Sequence, residues 1–134
     1  PAVLADFGAR LSSNYAATIR RFLALQVLNQ PNLRDTMAKL QRAVSTRGGA
    51  DPGALAAGLA ILASADLRAH LQNILQPCLV LQGDHDALTP EPAGRWVASR
   101  LPQAHYVMMA HAAHAPFLSH PQTFLNDLNR FLAA

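Results

Sequence analysis

Apolar positions change their period once along this chain, and the change divides it into two parts. Up to about residue 65 they recur at helical intervals only. Tyr15, Ile19, Phe22 and Leu23 fall on one side of an amphipathic helix. Leu25 and Leu28 lie off that stripe, so burial on more than one side is expected. Ser12 or Ser13 offers the N-cap, after a break at Leu11. Leu33, Met37, Leu40 and Val44 form the next stripe, with Pro31 suited to the first turn and Gly48-Gly49 to the end. Asp51-Pro52, a capping residue followed by proline, starts a further helix with Leu55, Leu59 and Leu62 facing inward.

Beyond Ser64 the pattern becomes runs of strand length. Asp66 can cap a short helix through Leu71, and Pro77 closes the linker after it. Cys78-Leu79-Val80-Leu81 is continuously apolar, as expected of a parallel strand covered on both faces. Pro90 to Leu101 reads as a helix with Ala93, Trp96 and Val97 inward, and His105 to Met109 as a second strand. Pro121 opens a last helix striped by Phe124, Leu125, Leu128, Phe131 and Leu132. The order strand–helix–strand–helix is a βαβα unit, whose strands a crossover makes parallel. Two parallel strands leave edges and faces open, so the chain reads as the second part of a larger α/β fold. Alone, those edges predict self-association.

Composition narrows the classes. Of the 134 residues, 51% are hydrophobic and 14% charged, which argues against disorder. The longest uncharged apolar-rich stretch, Pro52 to Ala65, is too short and too glycine-punctuated to span a bilayer. No basic-then-apolar leader opens the sequence, and Pro1 in place of Met suggests a trimmed product. One cysteine, Cys78, excludes an internal disulfide, favours a buried structural thiol and fits a cytoplasmic setting. Charge is uneven: residues 1–50 carry a net +5 and residues 51–134 a net −2. An acidic partner is therefore expected at the first half. Nucleic acid is not, since the basic residues stand at helical intervals with few aromatic groups among them.

The chemistry-bearing residues sit where the two strands end, which is where open α/β sheets bind ligands. Asp86 follows the first strand and His114 the second, 28 residues apart. A carboxylate can hold an imidazole in one tautomer and stabilise its cation while it takes a proton from a hydroxyl nucleophile. Capping and turn roles are the plain alternative for both residues. Asp84 is the alternative acid, and His85 a loop-surface residue. His111 and His114 form His-x-x-His, with His120 nearby, but no Glu completes a zinc-helix motif and Pro116 argues for a loop. No metal and no other cofactor is expected; His70, His105 and His120 are assigned to the surface or to caps. Ser12, Ser13, Ser45, Ser64, Ser99 and Ser119 all lack the flanking glycines of Gly-x-Ser-x-Gly.

The wording around the pair is more specific than the pair. Leu-Gln-Gly-Asp-His-Asp-Ala-Leu-Thr-Pro (81–90) resembles the acid loop of α/β-hydrolases, and Ala-Ala-His-Ala-Pro-Phe-Leu-Ser-His-Pro (112–121) resembles their histidine loop. Together with Arg-Phe-Leu-Ala-Leu-Gln (21–26) and Asp-Leu-Arg (66–68), the latter is similar to the pimeloyl-[acyl-carrier protein] methyl ester esterases of biotin synthesis. The resemblance covers essentially the whole chain. It implies an α/β class, with a helical lid at 1–65 followed by the C-terminal half of the hydrolase core at 66–134. It also implies His114 as general base and Asp86 as its orienting acid. The serine and oxyanion hole would lie in an N-terminal half of the same fold, so this chain alone is expected to be inactive. Arg21 and Arg34 stand at lid positions that would receive an acidic acyl carrier protein, with Arg20 and Arg42 nearby. Phe22 is assigned to the acyl channel or to plain core. Two alternatives remain: a non-catalytic carrier-binding module, and a related hydrolase of another small acyl or haloalkyl substrate.

Overall fold

The computed structural model describes residues 2–28, 33–46, 48 and 50–134, except the side chains of residues 2–5 and 12. Expectations resting on Pro31, Gly49 and the Ser12 side chain lie outside the described residues. The first half contains α1 (Ala2–Ser13), α2 (Tyr15–Gln26), α3 (Leu33–Ser45) and α4 (Pro52–Ser64). Asn14, not a serine, caps α2: its Oδ1 accepts the Ala17 N–H at 3.2 Å. Ser13 is still inside α1, where its hydroxyl donates back to the Arg10 carbonyl at 3.3 Å. Thr18, buried one turn into α2, donates to that same carbonyl at 3.0 Å and ties the two helices together.

At α4 the Asp51 cap forms, its Oδ1 accepting the Ala54 N–H at 2.8 Å with Pro52 behind it. Leu59 reaches α1, where a Cβ on Gly8 would lie 3.5 Å from its Cδ1. Leu62, expected inward, is instead 68% exposed, and Ile61 beside it 63%. The helix is apolar on every side, so its sequence names no single inward stripe.

Asp66 opens the second half. Its Oδ1 accepts the Arg68 N–H at 3.1 Å, ahead of a 3₁₀ helix at Arg68–Asn73. The Arg68 guanidinium also bonds that carboxylate and holds it well below the usual carboxylate range. Then follow β1 (Cys78–Gly83), α5 (Glu91–Arg100), β2 (Ala104–Met109), α6 (Pro116–Ser119) and α7 (Pro121–Leu132). β1 and β2 pair in parallel, from Cys78 opposite Ala104 to Gly83 opposite Met109.

Several inward assignments are corrected. The start of β1, Cys78 included, is half-buried rather than covered, because among the described residues β2 is its one sheet neighbour. In α5 the buried position is Gly94, whereas Ala93 is exposed and Trp96 is 38% exposed, with the Arg100 guanidinium 5.4 Å from its ring centroid. A Cβ on Gly94 would stand 2.4 Å from Gln82 Oε1, so α5 approaches β1 through its glycine. Pro116 begins a helical turn, α6, rather than a loop, since proline suits a first helical position. On α7, Phe124, Leu128 and Phe131 are half-buried but Leu125 and Leu132 are exposed.

The buried centre is small and lies where the two halves meet. Val27, Ala112 and Ala113 are fully buried, and Met109 and Ala115 are nearly so. The Ala115 N–H donates to the Gln26 carbonyl at 3.2 Å, fastening the end of α2 to the loop that carries His114.

Candidate active site

The two loops after β1 and β2 are stitched together by backbone. Asp84 N–H donates to the Met109 carbonyl at 3.2 Å, and His85 N–H to the Ala112 carbonyl at 2.9 Å. Gly83 makes this approach possible: a Cβ there would lie 2.3 Å from the Ala112 oxygen and 2.4 Å from the Ala113 oxygen. No side chain fits in that space.

Asp86 uses both carboxylate oxygens. Oδ1 accepts the Leu88 and Thr89 N–H groups at 2.8 and 2.9 Å, and Oδ2 lies 2.8 Å from His114 Nδ1. Its side chain is 6% exposed, that of His114 38%. A carboxylate only accepts, so Nδ1 donates to it and Nε2 is the ring nitrogen turned away from the carboxylate. The pair is thus a fixed, partly open imidazole backed by a buried carboxylate. Asp84 is not in it; that residue is exposed and lies near His85 and His111.

Gln82 is the polar residue the sequence pattern did not single out. It is 6% exposed, and its Nε2 donates to the Thr89 carbonyl at 2.8 Å and the Gly83 carbonyl at 3.2 Å, with Asp86 Oδ2 at 3.4 Å. The amide therefore braces both ends of the acid loop. The signal for it was a lone polar residue closing an otherwise apolar strand.

The remaining candidates lie apart from the pair. Arg21 and Arg34 are exposed and, among the described residues, in no ion pair, and Phe22 is 37% exposed with its ring 5.2 Å from that of Phe7. Arg20 and Arg42 line a cleft of about 600 Å³ between α2 and α3, together with Tyr15, Ile19 and Leu23. Arg21, Arg34 and both site loops are absent from its lining. His120 is half-buried at the α6–α7 junction, its Nδ1 2.8 Å from the Ser119 hydroxyl. No described helix is long and apolar enough to cross a membrane.

No protein-family model matches the chain. Among solved structures, a bromoperoxidase from Bacillus anthracis superposes with a TM-score of 0.86 at 20% identity, covering 100% of this chain and 49% of that one. An enol-lactonase from Burkholderia xenovorans gives 0.80 at 20% identity, over 100% and 51%. The chain has the α/β-hydrolase fold and corresponds to a C-terminal portion of it. In sequence it is similar to the pimeloyl-[acyl-carrier protein] methyl ester esterase of Photobacterium profundum, 41% identical over 132 residues, 98% of this chain and 52% of that protein. The protein of the same name from Nitrosomonas europaea is 38% identical over 120 residues, covering 90% and 48%. The chain spans about half the length of the curated relatives it matches.

Proposed function

We propose that the intact protein is a serine carboxylesterase that hydrolyses the methyl ester of pimeloyl-acyl carrier protein in biotin synthesis, in the cytoplasm. The reading rests on the relatives' name and on one observation, the 2.8 Å contact between His114 Nδ1 and Asp86 Oδ2 at the ends of adjacent parallel strands. The nucleophilic serine and the oxyanion hole are assigned to residues outside this chain, which on its own has a base with nothing to activate. Residues 1–65 act as the lid and 66–134 as the C-terminal half of the core.

In the proposed reaction, His114 Nε2 takes the serine proton as the serine oxygen attacks the ester carbonyl. The imidazolium, stabilised by Asp86, gives that proton to the departing methoxide, and methanol leaves. The same nitrogen then deprotonates the water that cleaves the acyl-enzyme, releasing the pimeloyl carboxylate and regenerating the serine. The exposed Arg21 and Arg34 receive the acidic carrier protein, and Phe22 borders the path of the acyl chain.

The test is methanol release from carrier-bound methyl pimelate by the intact protein. His114→Ala is expected to lower kcat by about 10⁴-fold or more, and Asp86→Asn by about 10⁴-fold. Activity retained in His114→Ala, with the fold intact by circular dichroism, would sink the assignment.

A further inference from the structure

The loops that carry the candidate pair also bring together a second set of groups. Asp84 and His85 follow β1, and His111 stands in the turn after β2. One ligand atom from each lies within 4.8 Å of the others, and all three side chains are exposed. The imidazoles of His85 and His111 meet edge-on, their centroids 5.7 Å apart. The backbones of Asp84 and His85 are held by the same contacts that join the loops, Asp84 N–H to Met109 and His85 N–H to Ala112. His111 has a φ of 59°, a left-handed conformation that side-chain-bearing residues seldom adopt.

We infer that Asp84, His85 and His111 form a Zn²⁺ site that clamps the two loops together. Two imidazoles and a carboxylate are a borderline-to-hard donor set suited to zinc, with water as the fourth ligand. Tetrahedral zinc with bonds of about 2.1 Å places its ligand atoms roughly 3.4 Å apart. Zinc binding would draw the present spread of up to 4.8 Å in to that value, and all three side chains are exposed. The sequence spacing brought only His111, His114 and His120 into consideration, and no metal was expected there. His114 is instead engaged by Asp86, and His120 by Ser119. Because the metal would join residues that are separate in the unfolded chain, its binding favours the folded loops. This inference is independent of the esterase reading.

The experiment is calorimetric titration of ZnCl₂ into the intact, tag-free protein stripped with EDTA, alongside thermal unfolding with and without zinc. The expected result is one zinc equivalent and a zinc-dependent rise in Tm. Both are absent in His85→Ala/His111→Ala, and affinity is about tenfold or more weaker in Asp84→Asn. The conservative Asp84→Asn keeps the test valid if the double variant fails to fold. His114→Asn should retain the zinc equivalent. Unchanged binding in the double variant and in Asp84→Asn would overturn the inference. Loss of zinc in His114→Asn but not in the others would also overturn it, since the metal would then sit on the Asp86–His114 pair.

Discussion

Asp86 is held by four neighbours that come from two different levels of the chain. Two are backbone N–H groups of its own turn, one is the Gln82 amide beneath it, and one is His114 across the gap. Removing Gln82 leaves the Thr89 carbonyl and the buried Gly83 carbonyl without this donor. Gln82→Ala should cost about 1–3 kcal/mol in urea unfolding. As a positioning residue it should also lower kcat while leaving KM nearly unchanged. A variant that loses stability yet keeps full kcat would limit Gln82 to packing. Asp86 and His114 were legible because each is an ionisable group placed just after an apolar run. Gln82 was not, since hydrophobic patterning records only that a strand has ended. Gly83 gave no sign of its tightness either, because the Ala112 and Ala113 carbonyls that crowd it come from a distant loop.

Among the elements, caps and faces were read with unequal success for a physical reason. Asp51-Pro52 is a local signal complete within its own turn, and the cap forms as read. At α2 three polar residues in a row could all cap, and only the end of α1 decides among them by drawing Ser13 back to Arg10. Inward faces depend on what lies opposite. Leu59 meets α1 but Leu62 is largely exposed, a difference absent from the leucine spacing. Asp51→Ala should therefore destabilise the protein by about 1 kcal/mol. Leu62→Ser, at an exposed position, should stay within about 0.5 kcal/mol of the parent. Denaturant unfolding of both variants checks this, and a Leu62→Ser cost well above that of Asp51→Ala would mean the leucine is covered in the intact protein.

For the molecule as a whole, the fold was legible from order alone, since strand–helix–strand–helix after a helical segment leaves few topologies. Its extent was less so. The strands are half-buried and several large apolar side chains on α4 and α7 are exposed, while the chain spans half the length of its relatives. The net +5 of residues 1–50 is the other whole-molecule property, and it gives the proposed carrier contact a measurable signature. Arg21→Glu/Arg34→Glu should weaken carrier binding and flatten its salt dependence, measured by titration at 50 and about 300 mM salt. An unaltered salt slope would move the contact to other residues, with Arg20 and Arg42 in the α2–α3 cleft next in line. The central claim, that Asp86 and His114 arm a serine in the intact protein, is tested most directly by the rate of labelling with a fluorophosphonate probe, read by intact mass. The parent should take up one probe on a serine, and His114→Ala should be labelled about a thousandfold more slowly or not at all. An unlabelled parent, or equal labelling of the two proteins, would contradict the account.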